Sequence, residues 1–218
     1  MKPPSYWHKG KKYLTKKDKV MARLIKFHKG HLTTRNDVFF SLCKSIIGQQ
    51  ISVAAASSIF LRFNKACKKQ IKPSVISKLS TNKIKACGLS KQKAKGIKCL
   101  ANDIISKKFD PKKIKKMNDE EAIEYLSQLR QIGRWSAEMI LMFTFNRQNI
   151  WPVLDLGLQK AISKNYKKNI YLQEVLWKNY TKSFHLCVQL QFGISGVQLI
   201  TSLSNIKYFF HLILLNVD

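Results

Sequence analysis

The chain has 218 residues, enough for one substantial core or for two lobes that share one. Its apolar fraction of 45% is ordinary for a globular protein, and no apolar run approaches the roughly 20 residues that a membrane-spanning helix needs. The charge is unusual, because 40 Lys and Arg against 12 Asp and Glu give a formal net charge of +28. Such a surface attracts polyanions, since neutralised phosphates release their counterions. Charge alone favours a nucleic-acid partner. It does not distinguish DNA from ribosomal RNA, and it leaves a membrane surface open as a partner.

The cysteines are five in number, widely spaced, and include no C-x-x-C pair. This spacing argues against a zinc ribbon or another closely spaced cluster. The lysine-rich start of the chain has no apolar signal segment. The sequence therefore predicts a cytoplasmic protein with reduced thiols.

Residues 1–15 form a basic, proline-containing segment in which Tyr6 and Trp7 are available as anchors. From Lys16 onward, apolar residues recur three and four apart, which predicts amphipathic helices. The alanine-rich stretch 52–67 predicts a further helix.

Two segments carry signals for the start of a helix. Asp110 and Pro111 predict a cap before a first-turn proline, and the stretch 118–121 has the pattern of a capping box. No run before residue 183 alternates with period two over a convincing length. The sequence therefore predicts an all-α protein.

The segment 126–146 predicts two helices joined by a short turn. The first helix is expected to end at Leu129 and the second to begin at Arg134. Gly133 suits a turn whose backbone approaches another backbone closely. The N–H groups at the start of the second helix favour a phosphate oxygen and read no base sequence. Such a helix pair is also common in proteins that do not bind DNA, so both interpretations stay open.

Two further segments are ambiguous by themselves. Asp155, among apolar neighbours at a loop-to-helix junction, is either a helix N-cap or a poised carboxylate. The amides Gln49 and Gln50 follow an apolar helix and either pack there or reach into a nucleic-acid groove.

Together and in this order, four segments resemble the helix-hairpin-helix (HhH-GPD) DNA glycosylases, and most closely the DNA-3-methyladenine type. The segments are SIIGQQIS (45–52), GLSKQKAKGI (88–97), LRQIGRWSAEMIL (129–141) and PVLDLGLQKAI (152–162). The resemblance implies an all-α, two-lobed helical fold with the active-site cleft between the lobes. It also implies a monofunctional hydrolase that flips a damaged base, an alkylated purine, out of duplex DNA and cleaves its N-glycosidic bond.

The resemblance also implies roles for individual residues. Asp155 would be the catalytic carboxylate, and Trp135 and Met139 would line the base pocket. The main-chain carbonyls of three hairpin residues would hold a monovalent cation, K⁺ or Na⁺: Ser127, Leu129 and Gln131. The residues expected to contact DNA are Gln49, Gln50, Ser52, Arg130, Gly133 and Arg134.

Three departures from the family pattern refine these expectations. Trp135 stands where lyase-active relatives carry a lysine, so no lyase activity is expected. Only Cys187 lies near the C-terminus, so no iron–sulfur cluster and no required cofactor are expected. Gln131 replaces a glycine of the turn, and because glutamine tolerates positive φ poorly, a tightened or shifted hairpin is expected.

Composition divides the chain near residue 183. Residues 1–183 hold 39 of the 40 Lys and Arg and are expected to form the glycosylase domain, whereas 184–218 form a divergent apolar tail. Such a break resembles a replaced or frameshifted final helix. We expect a monomer that acts on damaged duplex DNA at the nucleoid. The alternatives are a non-catalytic helix-hairpin-helix DNA-binding protein and a glycosylase for uracil or hypoxanthine.

Overall fold

The structure is a computed structural model that describes residues 3–27, 31, 37–150, 152 and 154–166. Across these ranges it has ten α-helices, a short 3₁₀ helix at Lys113–Lys116 and no strand, which confirms the all-α prediction. The helices are α1 Trp7–Lys17, α2 Lys19–Phe27, α3 Val38–Gly48, α4 Val53–Ala66, α5 Pro73–Ile76, α6 Thr81–Lys85, α7 Lys91–Ile105, α8 Asp119–Ser127, α9 Arg134–Phe143 and α10 Leu156–Tyr166.

The chain divides into two compact units. The described parts of Met1–Thr34 and of Leu141–Asp218 form the first unit, and Arg35–Ile140 forms the second. The predicted break near residue 183 and the apolar tail 184–218 lie outside the described residues. No helix among the described residues is long and apolar enough to cross a membrane.

The first unit begins with a helix that starts earlier than the sequence predicts. Helical structure was expected from Lys16, but α1 begins at Trp7, which is 3% exposed. The buried residues of α1 are Trp7, Gly10 and Leu14, spaced three and four apart. Because lysines lie between these buried residues, their helical spacing is hard to recognise in the sequence. Trp7 does act as the predicted anchor.

Polar contacts hold the chain between the helices of the first unit. The Asp18 carboxylate accepts a hydrogen bond from the Met21 N–H at 2.8 Å, as an N-cap of α2 does. Its other oxygen accepts from the Tyr166 hydroxyl, at the end of α10, at 2.9 Å. Asp18 therefore ties α2 to α10.

The second unit is built around α3, in which every residue from Phe39 except Phe40 is buried. Helix α3 packs against α4 and α7, and α7 also packs against α5 and α6. The largest fully buried side chains of this unit include Leu42, Ile46, Ile47, Phe63 and Ile97. Because a helix that is apolar on most sides must be covered, α3 forms the core.

Of the two caps that the sequence predicts in this unit, one is present. The predicted capping box of α8 is present, with reciprocal hydrogen bonds between Asn118 and Glu121 of 2.9 and 3.0 Å. The predicted cap at Asp110 is wrong. Asp110 accepts a hydrogen bond from the Lys112 N–H at 2.9 Å inside a turn, and the 3₁₀ helix that begins at Lys113 follows.

Candidate functional site

The predicted hairpin is present, with a turn of residues 128–133 between α8 and α9. The first helix ends at Ser127, two residues before the predicted end at Leu129, and the second begins at Arg134 as predicted. The side chains of Leu129 and Ile132 are buried, and the Ile132 N–H donates to the Leu129 carbonyl at 3.0 Å. The apolar residues of the turn thus contribute to holding it in place.

Two residues of the turn, Gln131 and Gly133, differ from the prediction in backbone conformation and in surroundings, respectively. Gln131 adopts a φ of +70°, the left-handed conformation that glycine adopts most easily. Gly133 is exposed, and apart from Gly133 itself and its two chain neighbours no described atom lies within 4 Å of the position that a Cβ would take. The close backbone approach predicted at Gly133 is therefore not made to any described part of this chain.

Gln49 lies against the turn. Its side-chain amide donates to the Gln131 carbonyl at 2.7 Å and to the Ser136 hydroxyl at 3.4 Å. Its own main-chain carbonyl accepts from the Lys93 ammonium at 2.5 Å, and Lys93 also donates to the Ile47 carbonyl at 3.0 Å. Burial lowers the pKa of Lys93 from its ordinary value.

Gly96 brings α7 close to the same turn. A Cβ at this position would lie 2.6 Å from Cγ and 3.2 Å from Cβ of Gln131. Sequence reasoning assigned no role to Lys93 or Gly96, although both belong to the segment 88–97 that carries the family resemblance. Because Lys93 and Gly96 are three residues apart, they share one face of α7, and this spacing was the signal in the sequence that could have linked them.

The two hairpin arginines are exposed and have partners on the protein. Arg130 donates to the Gln92 side chain at 2.7 Å. Arg134 forms ion pairs with Glu120 at 2.8 Å and with Glu138 at 3.2 Å. The hydrogen bond to Glu120 raises the pKa of Arg134, so this side chain keeps its charge.

The other two predicted DNA-contacting residues lie between α3 and α4. Gln50 is exposed and has a φ of +55°. Ser52 is exposed and caps α4, because its hydroxyl accepts from the Ala55 N–H at 3.3 Å. Gln50 can reach a partner directly, whereas the Ser52 hydroxyl is engaged by its own helix.

The hairpin contains oxygen atoms of the kind that bind a monovalent cation. The Leu129 carbonyl accepts from Ile132, and the Gln131 carbonyl accepts from Gln49. Each oxygen keeps a second lone pair. The Ser127 hydroxyl is buried without a hydrogen-bond partner among the described residues. Carbonyl and hydroxyl oxygens are donors that can replace the hydration shell of such an ion.

Trp135 and Met139 share one face of α9 because they are four residues apart. Met139 is 1% exposed, and Trp135 is half-buried. Of the two predicted pocket residues, only Trp135 has side-chain surface at which a base could stack.

Asp155 is a buried carboxylate at the start of α10. It is 6% exposed, and one of its carboxylate oxygens accepts from the Leu158 N–H at 2.6 Å. Its own N–H donates to the Pro152 carbonyl at 3.0 Å. The side chain therefore caps the helix and is at the same time a carboxylate fixed in a largely water-free position. The two interpretations of the sequence are compatible.

The second unit contains a long stretch of sequence in which every charged residue (Asp, Glu, Lys or Arg) is basic. Residues 38–102 contain no Asp or Glu and 13 Lys or Arg. Ten of these 13 are exposed, on α4 to α7 and the turns between them: Arg62, Lys65, Lys68, Lys69, Lys72, Lys78, Lys83, Lys85, Lys91 and Lys95. We call this set the basic surface. It presents cations to a polyanion with no acid from the same stretch to neutralise them.

The cysteines of the described residues are all free, and three of the four are buried. Burial is the main reason that the pKa of Cys67 is raised to about 11. No group of three or more His, Cys, Asp or Glu side chains among the described residues could hold a metal ion. Cys187 lies outside that part of the chain.

Comparison with known proteins is consistent with this geometry. DNA-3-methyladenine glycosylase 1 of Schizosaccharomyces pombe is 30% identical over 156 residues, which are 68% of this chain and 68% of that relative. A DNA-3-methyladenine glycosylase of Saccharomyces cerevisiae is 35% identical over 140 residues, 60% of this chain and 47% of that relative. The chain thus spans about half the length of the second relative.

Two solved structures share the fold. A 3-methyladenine DNA glycosylase of S. pombe in complex with abasic DNA superposes with a TM-score of 0.73 at 23% identity, over 90% of this chain and 98% of that one. A DNA-3-methyladenine glycosidase of Bacillus halodurans gives a TM-score of 0.69 at 24% identity, over 91% of this chain and 93% of that one.

A family model, described as the HhH-GPD superfamily base excision DNA repair protein, matches residues 43–170. This range contains the hairpin, Gln49 and Asp155, and it confirms the resemblance seen in the sequence. The chain belongs to the HhH-GPD superfamily of base excision DNA repair proteins.

Proposed function

We propose that the chain is a monofunctional DNA glycosylase that removes alkylated purines from duplex DNA by hydrolysis. The observation that supports this most is Asp155, a 6% exposed carboxylate fixed by the Leu158 N–H at the start of α10. The relatives named DNA-3-methyladenine glycosylase suggest the class of base. Its partner would be double-stranded DNA with a damaged base, met inside the cell by a monomer.

The reaction requires a negative charge beside the sugar. Cleavage of an N-glycosidic bond builds positive charge on the sugar ring, as in other glycoside hydrolyses. A carboxylate held in a water-poor position stabilises that charge and can accept a proton from the attacking water. Asp155 has the burial and the fixed orientation that this role needs.

The hairpin would hold the DNA backbone. Gly133 is exposed with open space above it, so a phosphate can approach its main chain and the first N–H groups of α9. A cation held by the carbonyls of Ser127, Leu129 and Gln131 would add positive charge at the same phosphate. The half-buried Trp135 offers a π face to a flipped base, and a cationic alkylpurine gains a cation–π attraction there.

The test is the release of free bases by the full chain. Methylated duplex DNA is incubated with the natural protein and with Asp155→Asn, and the released purines are quantified. Asparagine still caps a helix, so we expect the variant to fold and to bind a duplex with an abasic-site analogue within a few-fold of the natural protein. Base release should fall by a factor of about 100–1,000, because one preorganised charge is lost.

Controls separate the alternatives. Asp155→Ala removes the cap as well as the charge, and should lower stability by about 1 kcal/mol where Asp155→Asn does not. Duplexes with uracil or hypoxanthine test the other base classes. DNA binding without release of any base would favour the non-catalytic alternative, and full activity of Asp155→Asn would remove the carboxylate from the mechanism.

A further inference from the structure

The turn of the hairpin includes a residue whose conformation is disfavoured. Gln131 has a φ of +70°, where the Cβ of any residue other than glycine is crowded by its own backbone. Surroundings that fit only this conformation can offset its cost. In this chain, the surroundings come from α3 and α7.

Two contacts on the described residues restrain Gln131, and a third restrains Gln49. The Gln49 side-chain amide donates to its carbonyl at 2.7 Å, which fixes the orientation of the peptide group that follows Gln131. Gly96 leaves the room that the Cβ and Cγ of Gln131 occupy, since a Cβ on α7 would lie 3.2 and 2.6 Å from them. The Ser136 hydroxyl, 3.4 Å from the same Gln49 amide, extends the contact to α9.

Gln49 is itself held in place. The Lys93 ammonium donates to the carbonyls of Ile47 and Gln49 at 3.0 and 2.5 Å, at the C-terminal end of α3. These carbonyls have no partner within the helix, and a cation there is favourable. The chain at Gln49 is therefore tied to α7, which also carries Gly96.

We propose that Gln49 is a positioning residue that, together with Lys93 and Gly96, holds Gln131 in the left-handed conformation and so sets the hairpin for its DNA phosphate. We call these three residues the brace. The brace acts on DNA through the turn, in contrast to the direct groove contact that the sequence resemblance implied for Gln49. It supplies what a glycine at position 131 would supply by itself. This inference rests on the proposed function, because the hairpin must bind DNA for its conformation to matter.

The test is a double-mutant cycle on DNA binding. The dissociation constant for a duplex with an abasic-site analogue is measured for the natural protein, Gln49→Met, Gln131→Gly and the double variant. Methionine keeps the length of the side chain and removes the donor. Gln49→Met should weaken binding about fivefold in the natural background, because the turn then leaves the left-handed conformation more often. In the Gln131→Gly background the loss should be less than about twofold.

A second pair of variants tests the brace from α7. Gly96→Ala should weaken binding in the natural background, since its Cβ collides with Gln131, and should be tolerated in Gln131→Gly, which lacks the colliding atoms. This pair does not involve Gln49, so it keeps the test decisive even where Gln49→Met folds poorly.

The possible results of these measurements either support the brace or overturn it. Rescue of both variants by Gln131→Gly supports the brace. An equal loss in both backgrounds would overturn it, because Gln49 would then contact DNA itself or stabilise the fold in general. Unchanged binding by Gln49→Met would overturn it as well. If the natural protein did not bind the duplex, the proposed function and the brace would both fail, whereas binding without coupling would refute the brace alone.

Discussion

The hydroxyl of Tyr6 is a single polar group whose burial lowers the stability of the fold. Its ring lies at the start of the first unit, and its hydroxyl is buried without a hydrogen-bond partner among the described residues. Burial raises the pKa of Tyr6 well above its ordinary value, because the charged form would lose its hydration. A buried hydroxyl that makes no hydrogen bond also loses its bonds to water without compensation.

We therefore expect Tyr6→Phe to raise the free energy of unfolding by about 1 kcal/mol. The matched control is Tyr125→Phe, because the Tyr125 hydroxyl accepts from the Asp110 N–H at 2.8 Å and its removal leaves that donor unpaired. This control should lower stability. Urea unfolding of both variants measures the difference, and a loss of stability in Tyr6→Phe would show that its hydroxyl has a partner in the folded chain.

Single residues also show which features of the candidate site could be predicted from the sequence and which could not. The burial of Asp155 and its position beside a helix start could be expected from its apolar neighbours. The engagement of Gln49 with the turn could not, because it depends on the placement of α3 against residues 82 positions later in the chain. For the same reason the sequence could not show that Gly96, although it belongs to the resembling segment 88–97, lies against Gln131.

Helix α8 begins with a complete capping box. The reciprocal hydrogen bonds of Asn118 and Glu121 satisfy two main-chain N–H groups, and Asp119, Glu120 and Glu121 place negative charge at the positive end of the helix. Because α8 leads directly into the turn, the order of its first residues contributes to the order of the hairpin.

Asn118→Ala should lower the free energy of unfolding by about 1 kcal/mol, since the helix loses the side chain that caps it. The control is Asn102→Ala, an exposed change inside α7, where alanine is the better helix former and stability should stay the same or rise slightly. Thermal unfolding of the two variants provides the comparison. Equal stability of Asn118→Ala and the natural protein would mean that water replaces the cap without loss.

Local signals predicted the helices well where they did not compete with one another. The capping box of α8 and the start of α9 at Arg134 agree with the sequence. Helix α1 was placed too late because lysines interrupt its narrow stripe of Trp7, Gly10 and Leu14. Asp110 and Pro111 have the residue types of a helix start, but the carboxylate closes a turn instead, and only tertiary packing chooses between the two.

At the scale of the whole molecule, charge is the dominant property. The chain carries +28, and the basic surface belongs to a stretch of 65 residues, 38–102, without any acid. This pattern was predictable from composition, whereas the exposure of ten of its cations required the fold. We therefore expect an affinity for undamaged DNA that comes from phosphate contacts alone.

We expect the affinity for undamaged duplex to fall steeply with salt. Each neutralised phosphate contributes a slope of about −0.9 to a plot of log K against log salt concentration, so several contacts give a total slope of several units. Fluorescence anisotropy between about 50 and 200 mM KCl measures it. The control is a duplex with uncharged methylphosphonate linkages, for which the slope should collapse. A flat plot with ordinary DNA would contradict binding through the backbone.

The cap that Asp155 provides has a consequence for how this lineage can change. Loss of selection on base release would not free position 155 to drift, because α10 still needs an oxygen that accepts from the Leu158 N–H. An inactive descendant would therefore keep an Asp there, or exchange it for Asn or Ser, long after the reaction was lost. An Asp at this position is then no proof of an active enzyme, whereas an Asn in its place would identify a descendant that kept the helix and abandoned the chemistry.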